Sequence, residues 1–336
     1  MMEEDIPQNE ENPQKEENPQ KEETPEKEET PEKEETPTPE KEINPLSEAE
    51  NIKNLIQNSE KSKVVEFICK LSNEQRQKFK EIYLSSFGTE LNKELDSLLS
   101  GDVKKLILGL LMPKIDFDAE QIYLSMKGAG TDEDVLSEMI ATKTGRQLKK
   151  IKDRYPELHD ETLEKAINGD TSGDYQRILI AMIQGERSDN PYPNSQKMKE
   201  IIEKLNDADT DIKDNFISNL VNCSYGEICT ICREYEKTYG KNILDGIKKN
   251  FSKDEYNFFN MLLNYISNPG KFFAEKIHRF KSDDLIRIIV SRSEDILDEI
   301  KDAYKELYNV ELIEDIKNET KGDFQLGLSI LLQKSN

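Results

Sequence analysis

Residues 125–134, SMKGAGTDED, set two glycines two positions apart, with a threonine and three acids behind them. The chemistry open to such a run is capture of a hard cation by backbone oxygen. Calcium takes about six to eight oxygens, often carbonyls plus one bidentate carboxylate. A helix that ends just before the glycines presents unpaired carbonyls at a partial negative charge. Glycine then lets the backbone turn several of them onto one point. Met126, Gly128 and Gly130 stand at alternate positions, so their carbonyls can converge, and a remote acid, Asp170, is the candidate to close the shell. The Thr131 carbonyl and the Glu133 carboxylate can form a second, weaker site beside it. The same residues also suit a plain helix-to-helix turn with Asp170 as a helix cap, and the loop alone does not decide between the two.

The loop needs a helix on either side to aim it. Ala119, Ile122 and Met126 share an apolar face and predict a first helix, which Gly128 and Gly130 stop. Thr131 is expected to open a second helix, with Asp134 three residues on in a capping-box arrangement. Further helices are expected at 145–154 and 158–167, and DTSG at 170–173 is expected to cap the last one. That last helix has counterparts. VKKLILGL begins at Val103, YQRILIAM at Tyr175, YNFFNMLL at Tyr256 and FQLGLSIL at Phe324, each with apolar residues at most of i, i+3, i+4 and i+7. Intervals of 72, 81 and 68 residues signal repeated units, each suited to about five short helices.

Composition limits the partners. The 336 residues carry 69 Asp+Glu against 47 Lys+Arg, a net charge of −22. Residues 1–45 hold 17 of the acids and 5 lysines, so −12 of the −22 sits there. Such a surface disfavours nucleic acid, and disfavours anionic lipid unless something positive intervenes. Residues 11–42 repeat ENPQKE and then ETPEKE, with proline in every unit and almost nothing apolar to bury. They predict a disordered, extended acidic tail. No apolar run is long enough to span a membrane and the N-terminus is acidic, so the expected location is cytosolic. Cys223, Cys229 and Cys232 suggest zinc or redox chemistry, but His159 and His278 are remote in sequence, and reduced thiols on helices are expected instead. Neither histidine lies in a recognisable motif, and no nucleophile–base pair can be picked out, so no enzyme is expected.

MKGAGTDED, followed by GDTSGDYQRIL with Asp170 forty residues after Gly130, resembles the annexin repeat, and VLSEMIATKTGRQLKKIKDRY between them is similar to annexin helices. The resemblance implies calcium on the carbonyls of Met126, Gly128 and Gly130 with the Asp170 carboxylate, and a secondary site at Thr131 and Glu133. It implies an all-α fold: four five-helix repeats in a curved disc, calcium loops on the convex face, preceded by the tail at 1–45. The repeats are expected at 46–113, 114–188, 194–268 and 270–334. Asp118 and Lys143 match positions that pair across the repeat in annexins and imply a structural pair, with a hydrophilic-pore role as the alternative.

Departures from the family pattern narrow the expectation to one loop. The acid position is expected to recur as Leu98, Asp170, Phe251 and Glu319. NLIQNSEKS, KLNDADTDIKD and EKIHRFKSDDLI stand where the other glycine loops belong, none of them with GxGT. The function implied is calcium-dependent binding to acidic phospholipids of the phosphatidylserine kind. Lys127 would touch a phosphate and Ala129 would graze the headgroups, with the protein peripheral on the membrane or cell cortex when calcium rises. The alternative is a calcium-independent scaffold on cytoskeletal filaments, as in the alpha-giardin type of annexin-like protein.

Overall fold

Helix-start and helix-stop signals recur along the chain and set its architecture. This computed structural model describes residues 45–184, 194–206 and 212–334. The tail repeats and part of KLNDADTDIKD lie outside them. Twenty helices and no strand occur among the described residues. The first five are α1 (Pro45–Gln57), α2 (Lys61–Lys70), α3 (Asn73–Phe87), α4 (Leu91–Leu98) and α5 (Gly101–Leu110). The next are α6 (Lys114–Met126), α7 (Glu133–Ala141), α8 (Gly145–His159), α9 (Leu163–Asp170) and α10 (Gly173–Ile183). They are followed by α11 (Ser195–Asn206), α12 (Ile212–Leu220), α13 (Tyr225–Tyr239), α14 (Ile243–Asn250) and α15 (Lys253–Ser267). The last are α16 (Pro269–Ile277), α17 (Ser282–Arg292), α18 (Leu297–Tyr308), α19 (Leu312–Glu319) and α20 (Gly322–Gln333).

The third helix of each of the first three sets begins in a capping box: Ser72 with Gln75, Thr144 with Gln147, Ser224 with Glu227. All four third helices end on a left-handed residue, Gly88, Asp160, Gly240 or Asn309, which satisfies a last-turn carbonyl and turns the chain. The expected helix at 158–167 is displaced for this reason. Asp160 stops α8 at His159, and Thr162 caps α9, so that helix runs Leu163–Asp170.

Two apolar cores form. One gathers α6 to α15 around residues such as Ile122, Leu148, Ile178, Ile231 and Phe259. The other joins the first five helices to the last five around Val65, Ile107, Phe273, Ile289 and Leu328. The stripe at Phe324 thus closes the chain onto its own beginning. At Gly327 a Cβ would stand 3.0 Å from Leu106 Cδ2 and 3.3 Å from Val65 Cγ1, so a bare backbone is what lets α20 seat against α5 and α2.

Charged groups are buried between the cores, beside apolar contacts such as Tyr265 of α15 with Phe272 and Phe273 of α16. Lys143 Nζ lies 2.5 Å from Asp118 Oδ2 and 3.0 Å from Ser291 Oγ, so the expected pair forms and also reaches α17. Glu138 on α7 receives Lys276 Nζ from α16 at 2.6 Å and Arg287 Nε from α17 at 2.9 Å. Burial by itself raises the Glu138 carboxyl, but Lys276 and Arg287 outweigh it and hold the group at about 2. Such a cluster contributes little net stability, yet it sets which surfaces meet, because a misaligned pair would leave a buried charge unmatched.

Candidate functional site

The loop 127–131 joins α6 to α7. Ile122 and Met126 turn inward and anchor α6 in the core, while Lys127, Gly128, Ala129 and Gly130 are exposed. Gly128 and Gly130 take φ of +114° and +107°, and open space surrounds the place of a Cβ at both. The glycines are therefore demanded by backbone geometry and not by crowding. Two hydrogen bonds hold the ends: Lys127 N donates to Leu124 O at 3.4 Å, and Asp132 N to Ser125 O at 2.7 Å. No donor among the described residues reaches the carbonyls of Met126, Gly128 or Gly130.

Asp170 is the last residue of α9, exposed, and its carboxylate accepts no hydrogen bond among the described residues. Two contacts bring it to the loop. The Thr131 hydroxyl donates to the Asp170 carbonyl at 3.0 Å. The Tyr175 hydroxyl, at the start of α10, lies 3.2 Å from Glu133 O and 2.9 Å from Ser137 Oγ. Burial pushes the Tyr175 phenol up, so it keeps the proton it shares with these partners.

Local capping differs from the sequence expectation. Asp132, not Thr131, caps α7, its carboxylate accepting Val135 N at 3.0 Å. Thr131 is thereby released to bond α9. The sequence signal was present, since aspartate is an equal or better cap than threonine. In DTSG, Asp170 ends α9 with Thr171 as its C-cap, and Ser172 precedes α10 without a side-chain cap bond. Tyr175 was read only as an apolar position, and its tether to Glu133 was missed because nothing local marks it.

The same places elsewhere are built otherwise. Between α1 and α2 the carbonyls of Asn54, Leu55 and Ile56 accept Asn58, Glu60 and Ser59 amides respectively within the turn, and Ser59 takes a positive φ of 58°. Between α16 and α17 the carbonyls of Ala274, Lys276 and Ile277 are occupied by the amides of His278, Arg279 and Phe280. Neither turn has the paired glycines at positive φ that turn alternate carbonyls onto one point at 126–130. The α11–α12 loop lies partly outside the described residues. At the acid position α4 ends on Leu98 and α19 on Glu319, but α14 ends on Asn250 and Phe251 is its cap. The counterpart of Asp170 there is Asn250, one residue before the expected Phe251. Tyr256 had set the sequence register, and α15 begins three residues ahead of it, at Lys253.

No group of three or more His, Cys, Asp or Glu side chains among the described residues is gathered to hold a metal. Open carbonyls with one free carboxylate instead suit a hard, oxygen-seeking cation, and calcium fits that donor set better than zinc. Cys229 and Cys232 are free thiols; burial pushes the Cys232 thiol up to about 12, away from metal-binding thiolate.

Comparison with known proteins bears on most of the chain. The sequence model of the Annexin family matches residues 47–110, 117–182 and 274–331. Annexin A6 of Mus musculus is 32% identical over 305 residues, 86% of this chain and 45% of that protein, so the chain spans about half its length. Annexin A1 of Bos taurus is 32% identical over 298 residues, 84% of this chain and 85% of that one. Among solved structures, annexin III superposes with a TM-score of 0.83 at 31% identity, covering 88% of this chain and 96% of that chain. Calcium-bound alpha-14 giardin matches at a TM-score of 0.72 and 20% identity over 86% of this chain and 100% of that chain, a likeness of fold alone.

Proposed function

The chain belongs to the annexin family, and from that premise we propose that it binds acidic phospholipid membranes through calcium held at one loop. Annexins generally bind phospholipid in a calcium-dependent way. The ligands we assign are the carbonyls of Met126, Gly128 and Gly130 and the carboxylate of Asp170, with Thr131 O and Glu133 as a weaker neighbouring set. The observation that carries this reading is the run of open carbonyls beside a free carboxylate, tied together by the Thr131–Asp170 bond.

An acidic protein meeting an acidic membrane needs a cation between them. Calcium on this loop would keep open positions for lipid phosphate oxygens, so lipid and protein raise each other's affinity for the ion. Lys127 and Ala129, both exposed at the loop, are assigned to the headgroup layer. With one strong carboxylate and one loop, binding is weak and calcium-demanding. The repeat limits 46–113, 114–188, 194–268 and 270–334 belong to the same proposal. So does a cytoplasmic protein that becomes peripheral on the membrane as calcium rises. No helix among the described residues is long and apolar enough to cross a membrane. Nothing in the donor set calls for an enzyme, and we read the chain as a binding protein.

The test is sedimentation with phosphatidylserine vesicles in calcium. Asp170→Ala is expected to abolish it; unchanged sedimentation would sink the single-loop reading. The missing glycine pairs of the α1–α2 and α16–α17 turns favour a second reading, a calcium-independent scaffold on cytoskeletal filaments. Filament co-sedimentation that ignores chelator would favour the scaffold.

A further inference from the structure

We propose that the cavity between α7, α15, α16 and the start of α17 binds a phosphate monoester without calcium, its source being the headgroup of a membrane lipid. The cavity measures about 340 Å³ and is mostly polar, within the size range of small-ligand sites. Asn257, Asn260 and Asn264 lie at i, i+3 and i+7 on α15, so they share one face and line one wall. Arg279 and Lys281, in the turn between α16 and α17, line the rim and are exposed.

Most other charges in the cavity are already matched. Lys276 and Arg287 are bound to Glu138, and Arg287 also takes Asp284 at 2.6 Å. Asp132 is engaged in capping α7, and Glu275 faces Lys271 at 3.9 Å. Arg279, Lys281 and the acid Asp134 are left, none forming an ion pair or hydrogen bond through its side chain among the described residues. The lining as a whole is balanced, with Lys276, Arg279, Lys281 and Arg287 against Asp132, Asp134, Glu275 and Asp284, but Arg279 and Lys281 are cations held to no partner on its rim, in a chain whose net charge is −22. A guanidinium fork, an ammonium point charge and amide N–H donors around a small polar space are the groups that recognise phosphate. A dianionic monoester draws more from two fixed cations than a diester does.

The lipid source rests on the membrane reading above; the phosphate chemistry does not. Asp132 links the two places, because it closes the 127–131 loop through Ser125 O and also lines the cavity. A membrane docked at the loop therefore meets the cavity. The α16–α17 turn, which lacks the glycines, presents cationic side chains where α6–α7 presents carbonyls for a mobile cation.

The test uses the full chain in EGTA. Calorimetry with inorganic phosphate reports the chemistry, and sedimentation with phosphatidic acid in phosphatidylcholine, against phosphatidylcholine alone, reports the source. The double variant Arg279→Gln/Lys281→Gln is expected to bind phosphate about tenfold or more weakly, since two charge-assisted contacts are lost. Asn257→Asp, which puts a carboxylate into the wall, is expected to weaken it in the same direction. Melting temperatures check that both variants fold. Both variants should also lose calcium-free sedimentation with phosphatidic acid, while Asp170→Ala keeps it, which separates this site from the calcium loop. Absence of saturable phosphate binding in the native protein, or binding that survives both variants, overturns the site. Phosphate binding lost as expected, with vesicle sedimentation equal in all proteins, overturns the lipid source and makes a soluble phosphate ester the ligand.

Discussion

The Thr131 hydroxyl donates to the Asp170 carbonyl at 3.0 Å, across 39 residues of chain. This bond seats the glycine loop against the end of α9, so it governs how far the Asp170 carboxylate stands from the open carbonyls at 126–130. The contact uses the backbone oxygen of Asp170, which leaves its carboxylate free for an ion.

Thr131→Val keeps the shape and removes the donor. A net loss of about 0.5–1.5 kcal/mol is expected for one hydrogen bond, so calcium-dependent vesicle binding should need about threefold to tenfold more calcium. The melting temperature should fall by no more than about 4 °C, since only one hydrogen bond is lost and the fold is otherwise kept. A calcium titration of sedimentation, paired with a melt, reads both.

Gly130→Ala tests the backbone. At a φ of +107° an alanine is strained by about 1–3 kcal/mol, though its methyl would meet nothing. The loop is expected to relax away from the ion-binding shape, giving weaker calcium binding in calorimetry. Native affinity in this variant would show that the loop geometry does not set the site.

Glu138→Gln leaves Lys276 and Arg287 facing each other between the cores, and a loss of about 3–5 kcal/mol is expected. The native carboxyl is held at about 2, below its ordinary 4.5. Its contribution is therefore fully present above pH 4.5 and is lost as pH falls towards 2. The difference in melting temperature between the native protein and the variant should be constant from neutral pH down to 4.5, then narrow. A difference that does not narrow on acidification would show that Glu138 is not the group responsible.

Tyrosines at matching places predict opposite outcomes. The Tyr83 hydroxyl donates to Glu94 at 2.7 Å and Tyr304 to Asp315 at 2.7 Å, each acid standing fourth in the next helix. In α9 that fourth residue is Ala166, and the buried Tyr155 hydroxyl has no partner. Tyr304→Phe should therefore lower the melting temperature by about 2–4 °C, a loss of about 1 kcal/mol. Tyr155→Phe should leave it unchanged or raise it, since an unsatisfied buried hydroxyl is removed. Equal losses in thermal melts of the two would refute the assignment.

By itself the sequence determined what depends on neighbours within a turn or two. The 3.6-residue apolar stripes at Val103, Tyr175, Tyr256 and Phe324 specified helices, and Gly128 and Gly130 specified a backbone only glycine adopts readily. The spacing to Asp170 was legible only because a resemblance supplied it; no local rule says that residues forty apart meet. Tertiary structure alone decided that the first five helices share a core with the last five, since apolar faces of equal quality can pair in several orders. It decided that Thr131 bonds α9 while Asp132 caps, because two adjacent residues competed for one cap and a distant carbonyl took the loser. It also decided that Arg279 and Lys281 face three asparagines of another helix. Long-range proximity is set by how the two cores close, and closure leaves no mark in any short stretch of chain.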